Sequence, residues 1–166
     1  DLRICAVQAD LVWENKTKNL ELLYALVKDI EDTDVIVLPE MFATGFTMNA
    51  KEFASTASGV EVLWMQKLAA EKNSCVVGSL IISEDDKFYN RLFWVMPNGV
   101  IWTYNKRHLF SLAGEEKVFT AGNEQLIVEY KSWRIMPLVC YDLRFPVWSR
   151  NNVNYDLLLY VANWPE

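Results

Sequence analysis

Histidine occurs once in the 166 residues, at His108, and cysteine three times, at Cys5, Cys75 and Cys140. An odd number of widely spaced cysteines supplies neither a disulfide framework nor a paired-cysteine zinc site, so free thiols are expected. With a single histidine beside them there is no plausible transition-metal site, and no cofactor is implied. Glycine (6) and proline (5) are scarce, which argues against disorder or a fibrous repeat. Basic residues are outnumbered, 16 Lys and Arg against 22 Asp and Glu, for a formal net charge of −6. A nucleic-acid backbone or an anionic membrane surface would call for a basic face, so neither is expected as a partner; a small molecule fits better. No run approaches the roughly 18 uninterrupted apolar residues of a spanning helix. Residues 1–8 are too short and too quickly polar for a signal-peptide core, and the chain reads as cytoplasmic. What is present is core material: 52% of residues are hydrophobic, with seven Trp, seven Tyr and eight Phe, enough for one domain with a sizeable interior.

Along the chain, residues 2–7 suit a short strand, and an amphipathic stretch over 15–30 follows, with Leu20, Leu23, Val27 and Ile30 at helical spacing. Asn15 or Thr17 is placed to cap it. Val35-Ile36-Val37-Leu38 is a continuous run of the kind found in strands covered on both faces, and Pro39 ends it. After a looser segment over 41–58, Val60, Leu63, Trp64 and Leu68 predict a second helix, and 75–82 returns to strand. The rhythm then changes. Residues 88–96 and 100–104 predict two strands joined by Pro97-Asn98-Gly99, an antiparallel meander. The polar connection over 105–122 is long enough to suggest function. Residues 125–130 and 133–140 predict a hairpin around Lys131-Ser132, a short helix is expected to begin at Pro146, and 156–161 is the last strand.

Three places break the local rule in the same way: an apolar strand ends and a reactive side chain follows at once. These are Glu40 in Leu38-Pro39-Glu40-Met41-Phe42, Lys106 in Tyr104-Asn105-Lys106-Arg107-His108, and Cys140 in Leu138-Val139-Cys140-Tyr141-Asp142. Taken singly, each has a plain explanation: a buried small hydrophobe, a paired strand-end carboxylate, a solvated basic pair. Together they form a chemically complete set, provided the strands share a direction and end on one edge. A thiol needs a base or a nearby cation. Glu40, desolvated by Pro39, Met41 and Phe42, would have a raised pKa suited to taking that proton and returning it to a departing amine. Lys106 would supply positive charge where a tetrahedral oxyanion develops, with the Tyr141 N–H as a second donor. A Cys140–His108 pair is the rival arrangement, but no Cys-His pattern surrounds either residue, and a satisfied loop histidine is the expected role.

Leu38-Pro39-Glu40, then Asn105-Lys106-Arg107-His108-Leu109-Phe110, then Val139-Cys140-Tyr141-Asp142-Leu143-Arg144-Phe145-Pro146 resemble, in order and spacing, the three catalytic signatures of the nitrilase superfamily, the carbon-nitrogen hydrolases. Tyr89-Asn90-Arg91 and Pro97-Asn98-Gly99 extend the resemblance over essentially the whole chain. It implies a four-layer α-β-β-α sandwich, with Glu40 as base, Lys106 stabilising the tetrahedral intermediate and Cys140 as nucleophile. It also implies a second Glu that orients the lysine, placed at Glu115 in preference to Glu116, and a homodimer or larger assembly. Lys106-Arg107-His108-Leu109-Phe110-Ser111-Leu112-Ala113-Gly114-Glu115 and the closing Val161-Ala162-Asn163-Trp164-Pro165 are similar to the omega-amidase branch, which acts on dicarboxylate monoamides such as 2-oxoglutaramate and succinamate. Phe42, Phe46, Tyr141 and Trp164 are candidates to wall the pocket, with core packing an equal explanation. Arg144 is a candidate for a substrate carboxylate, though an internal pair with Asp142 is the leading expectation. Because the superfamily sandwich is longer than 166 residues, its C-terminal part is expected to be absent from this chain. An exposed apolar sheet edge or face is therefore expected near 157–161.

Overall fold

The computed structural model describes residues 1–164; Pro165, which closes the omega-amidase-like motif, and Glu166 lie outside the described residues. The chain opens β1 (Ile4–Ala6), α1 (Lys16–Val27), β2 (Val35–Val37), then a single turn α2 (Ala50–Phe53), α3 (Val60–Lys72) and β3 (Cys75–Glu84). β2 lies between β1 and β3 and is parallel to both, which is why its β-branched run has no polar face. Asn15 caps α1 by accepting from the Lys18 N–H at 3.1 Å. Leu23 and Val27 are fully buried against the sheet, as their spacing predicts.

β3 continues into β4 (Lys87–Val95) and β5 (Ile101–Asn105) as the expected antiparallel meander, giving the sheet order β1-β2-β3-β4-β5. The first reversal is a two-residue turn with Asp85 and Asp86 both at positive φ, the conformation that matches strand twist. Two reversals return the chain to its original direction, so β5 runs parallel to β2 and both end on the same edge of the sheet.

A second sheet has the order β6 (Val128–Tyr130), β7 (Trp133–Val139), β8 (Leu157–Val161), with β6 and β7 a hairpin and β7 parallel to β8. Strand alternation sorts side chains into two cores. Val76, Leu80, Ile82, Phe93 and Val95 meet α1 and α3, whereas Val77, Leu92, Trp94 and Tyr104 meet Ile135, Met136, Leu138 and Val161 of the second sheet. The layers are therefore helix, sheet, sheet; among the described residues no helix covers the far side of the second sheet. No helix among them is long and apolar enough to cross a membrane.

Two expectations are corrected. No helix begins at Pro146: the helical turn is a 3-10 segment, Cys140–Arg144, and Pro146 sits in the turn after it. The exposed apolar surface is not centred on β8. That strand is the sheet edge that was expected, but its face is not exposed: Leu159 and Val161 point into the inter-sheet core and its other residues are half-buried. The most exposed large apolar side chains are Leu112, at 86%, and Val147, at 79%.

Candidate active site

Glu40 follows β2 through Pro39, Lys106 directly follows β5, and Cys140 directly follows β7, so the common edge collects all three from two sheets. Backbone bonds fix each exit. The Met41 N–H, at a positive φ of 46°, donates to Ser79 Oγ at 2.9 Å, and the Glu40 N–H donates to the Ala162 carbonyl at 3.3 Å. The Lys106 N–H donates to the Asn90 carbonyl, and its own carbonyl accepts from Gly122, both at 2.9 Å. Gly122 is pressed so closely on the end of β5 that a Cβ there would lie 2.2 Å from the Asn105 carbonyl oxygen. Cys140 opens the 3-10 turn at a φ of +43°, a left-handed conformation that costs a non-glycine residue energy and lifts the thiol out of the strand.

Glu40, Lys106 and Glu115 have no exposed surface. Lys106 Nζ donates to Glu40 Oε1 at 2.8 Å and to Glu115 Oε2 at 2.9 Å and Oε1 at 3.2 Å. Glu115 Oε2 also accepts the Phe110 N–H at 2.6 Å, and Glu40 Oε2 accepts the Asn163 N–H at 3.3 Å. The Cys140 thiol faces the Glu40 carboxylate. Asn90, from β4, donates through Nδ2 to Glu40 Oε1 at 2.8 Å and to Glu115 Oε1 at 3.2 Å.

Burial raises the Glu40 pKa above the usual carboxylate range, and the neighbouring Lys106 only partly offsets this. For Lys106, burial works against the charge, but the Glu40 and Glu115 carboxylates outweigh it and hold the ammonium more firmly than usual. The Cys140 thiol is pushed up to about 12 by burial and by the Glu40 charge. A thiol in that position is neutral at rest and becomes nucleophilic by handing its proton to a neighbour, which is general-base rather than preformed-thiolate chemistry.

A further buried carboxylate, Asp142, ties the two sheets together beside the site. Asp142 Oδ2 accepts from the Tyr104 hydroxyl at 2.7 Å and the Val139 N–H at 3.1 Å; Oδ1 accepts from the His108 N–H at 2.9 Å and meets His108 Nδ1 at 2.8 Å. The His108 ring stacks on Phe145 at 3.8 Å between centroids. Asp142→Ala is expected to cost about 2–4 kcal/mol in urea unfolding, because it strands several buried donors at once.

A cavity of about 120 Å³ opens against Cys140, walled by Phe46, Phe110, Ala113, Tyr141, Asn163 and Trp164. A larger groove of about 410 Å³ between α1 and α3 holds neither cysteine nor histidine and lies away from the three strand ends. Among the described residues, no group of three His, Cys, Asp or Glu is arranged to hold a metal ion.

Sequence reasoning named Glu40, Lys106, Glu115 and Cys140, and these come together; Phe46, Tyr141 and Trp164 line the cavity, while Phe42 packs in the helix-side core. The Asp142–Arg144 pair is corrected. Asp142 is buried and filled by other donors, whereas Arg144 is exposed and lies over the Trp164 ring at 5.7 Å. Two residues apart in a helical turn, the side chains point different ways. Asn90 and Phe110 were not assigned to the site. The available signals for Asn90 were its place in Tyr89-Asn90-Arg91, which extends the family resemblance, and a lone amide in the apolar strand Phe88-Tyr89-Asn90-Arg91-Leu92-Phe93-Trp94.

The family model for carbon-nitrogen hydrolases matches residues 3–163. The chain belongs to the carbon-nitrogen hydrolase family. It is 48% identical over 164 residues to the omega-amidase YafV of Yersinia enterocolitica, covering 99% of this chain and 64% of that protein. It is 30% identical to the 2-oxoglutaramate amidase of Bacillus subtilis, covering 98% of this chain and 65% of that one. A carbon-nitrogen hydrolase from Xanthomonas campestris, solved with an arsenic adduct in its active site, superposes with a TM-score of 0.97 at 40% identity, over 100% of this chain and 66% of that one. The chain thus spans just under two thirds of the length of these relatives. The nitrilase-superfamily fold is the α-β-β-α sandwich expected from the sequence, of which the described residues carry the α-β-β layers.

Proposed function

We propose that this carbon-nitrogen hydrolase is an omega-amidase: it hydrolyses the terminal amide of a short dicarboxylate monoamide, such as 2-oxoglutaramate or succinamate, through a thioester on Cys140. The observation that carries the chemistry is the buried Glu40–Lys106–Glu115 cluster facing the Cys140 thiol. The named activities of the Yersinia and Bacillus relatives support the substrate class.

In this reading the sulfur attacks the amide carbonyl carbon as its proton passes to Glu40. Lys106 and the Tyr141 N–H stabilise the oxyanion. The tetrahedral intermediate expels nitrogen, which takes the Glu40 proton and leaves as ammonia. Water then attacks the thioester, gives a proton to Glu40, and the sulfur departs and is reprotonated. Glu115 holds Lys106 in place, with Phe46, Tyr141 and Trp164 walling the substrate. Arg144, freed from Asp142 and lying over Trp164 at the cavity, is the group suited to the substrate's distal carboxylate. The reading includes a cytoplasmic homodimer.

Ammonia release by the full-length protein from a panel of omega-amides, nitriles and N-carbamoyl compounds tests it. Turnover confined to omega-amides is the expected result. Preference for nitriles or carbamoyl compounds would move the protein to another activity of the same fold, and no turnover on any of them would leave a binding protein.

A further inference from the structure

Asn90 has no part in the chemistry just described, yet it is fully enclosed and touches two of its groups. It lies on the face of β4 that also carries Leu92 and Trp94, where an apolar side chain would fill the same space. Its Nδ2 spends one hydrogen on Glu40 and the other on Glu115, in each case on Oε1. Its own Oδ1 is buried without a partner. Reversing the amide would set that oxygen against two carboxylates, so the orphaned acceptor is the consequence of aiming both donors at them.

The arrangement divides the labour between the two oxygens of Glu40. Oε1 is occupied by Lys106 Nζ and Asn90 Nδ2, both at 2.8 Å, whereas among the described residues the backbone donor at Oε2 is the Asn163 N–H, at a longer 3.3 Å. The charged and titratable groups facing this carboxylate are Lys106 from the end of β5, Glu115 from the 3-10 segment Glu115–Lys117, and Cys140 from the end of β7. One ammonium serves two carboxylates there, and Asn90 adds hydrogen-bond donors without adding charge.

We propose that Asn90 is a positioning residue that saturates Oε1 of Glu40, leaves Oε2 as the atom that takes the Cys140 proton, and holds the carboxylate ionised. This rests on the roles of Glu40 and Cys140 in the reading above, but not on the substrate. Hydrogen bonds to the ionised form lower a carboxyl pKa, so removing them moves it up.

The test is the rate of Cys140 alkylation by iodoacetamide against pH in the full-length protein, followed by peptide mass so that Cys5 and Cys75 are counted separately. Alkylation needs no amide substrate. Asn90→Leu is expected to shift the acid limb upward by about one pH unit and to slow alkylation roughly tenfold on the rising limb. Asn90→Gln, which keeps both donors, is expected to restore part of the shift. In a Glu40→Gln background the limb is lost and Asn90→Leu adds nothing further. If Asn90→Leu does not fold, Asn90→Ala, which removes both donors without adding charge, is measured instead and is expected to move the limb upward as well. A limb at the wild-type pH in the folded variant, or an equal loss at every pH, would overturn the proposal. Failure of the omega-amide panel with the limb still shifted would overturn the substrate assignment alone.

Discussion

Cys140→Ala is expected to lower kcat/KM for omega-amides by at least about four orders of magnitude while leaving the urea unfolding midpoint close to that of the parent. Among the described residues that line the cavity, the thiol is the group able to hold an acyl intermediate opposite a buried carboxylate. Alanine keeps the strained turn but removes the attacking atom. Glu40→Gln is expected to fall by about 10²–10⁴-fold, since glutamine preserves the shape but cannot accept the proton. Because burial raises the Glu40 pKa, activity should climb with pH through that raised value, where the carboxylate becomes ionised and able to act as base. His108→Ala serves as the control. Its ring is committed to Asp142 and Phe145, so most turnover should survive. An inactive His108→Ala beside an active Glu40→Gln would reverse the assignment of the base.

Lys106→Met should cost about 3–5 kcal/mol of stability as well as nearly all activity. The ammonium compensates two carboxylates that have no exposed surface; methionine fills the volume and leaves them facing each other. Like charges in such a site force one carboxyl to keep its proton, so its folded-state pKa rises above the unfolded value. A raised carboxyl pKa contributes stability that is present below the unfolded pKa and lost as pH rises through the folded one. The variant should therefore be closest to the parent near pH 4–5 and weakest above neutrality, as read from urea midpoints across that range. Adding Glu115→Gln should recover part of the loss at high pH. Equal stability of Lys106→Met and the parent at pH 8 would show that the cluster is not the buried ionic site its geometry indicates.

The residues most legible in the sequence were those whose surroundings are local. Glu40, Lys106 and Cys140 each interrupt an apolar strand at its end, and Asn15 and Pro97-Asn98-Gly99 mark a cap and a turn within a few residues of what they stabilise. Asn90 was not legible in this way. Tyr89-Asn90-Arg91 extended the family resemblance but carried no role for the amide, whose partners lie 50 and 25 residues away. Arg144 failed for a related reason: proximity in sequence suggested Asp142, but the tight turn sends one side chain inward and the other out.

The amino-acid sequence by itself determined most of the elements, the resemblance to the family and the set of reactive groups, because periodicity, caps and strand ends are set by interactions between near neighbours. Only the tertiary structure decided that these groups meet. Two reversals in the β3-β4-β5 meander turn the end of β5 to the edge where β2 ends, and stacking of the second sheet brings Cys140 to the same place. Contacts such as Lys106 with Glu40, 66 residues apart, and Asn163 with Glu40, 123 apart, depend on strand order and sheet packing. No local pattern encodes those distances, since a strand carries its face in its own sequence but its neighbours only in the fold.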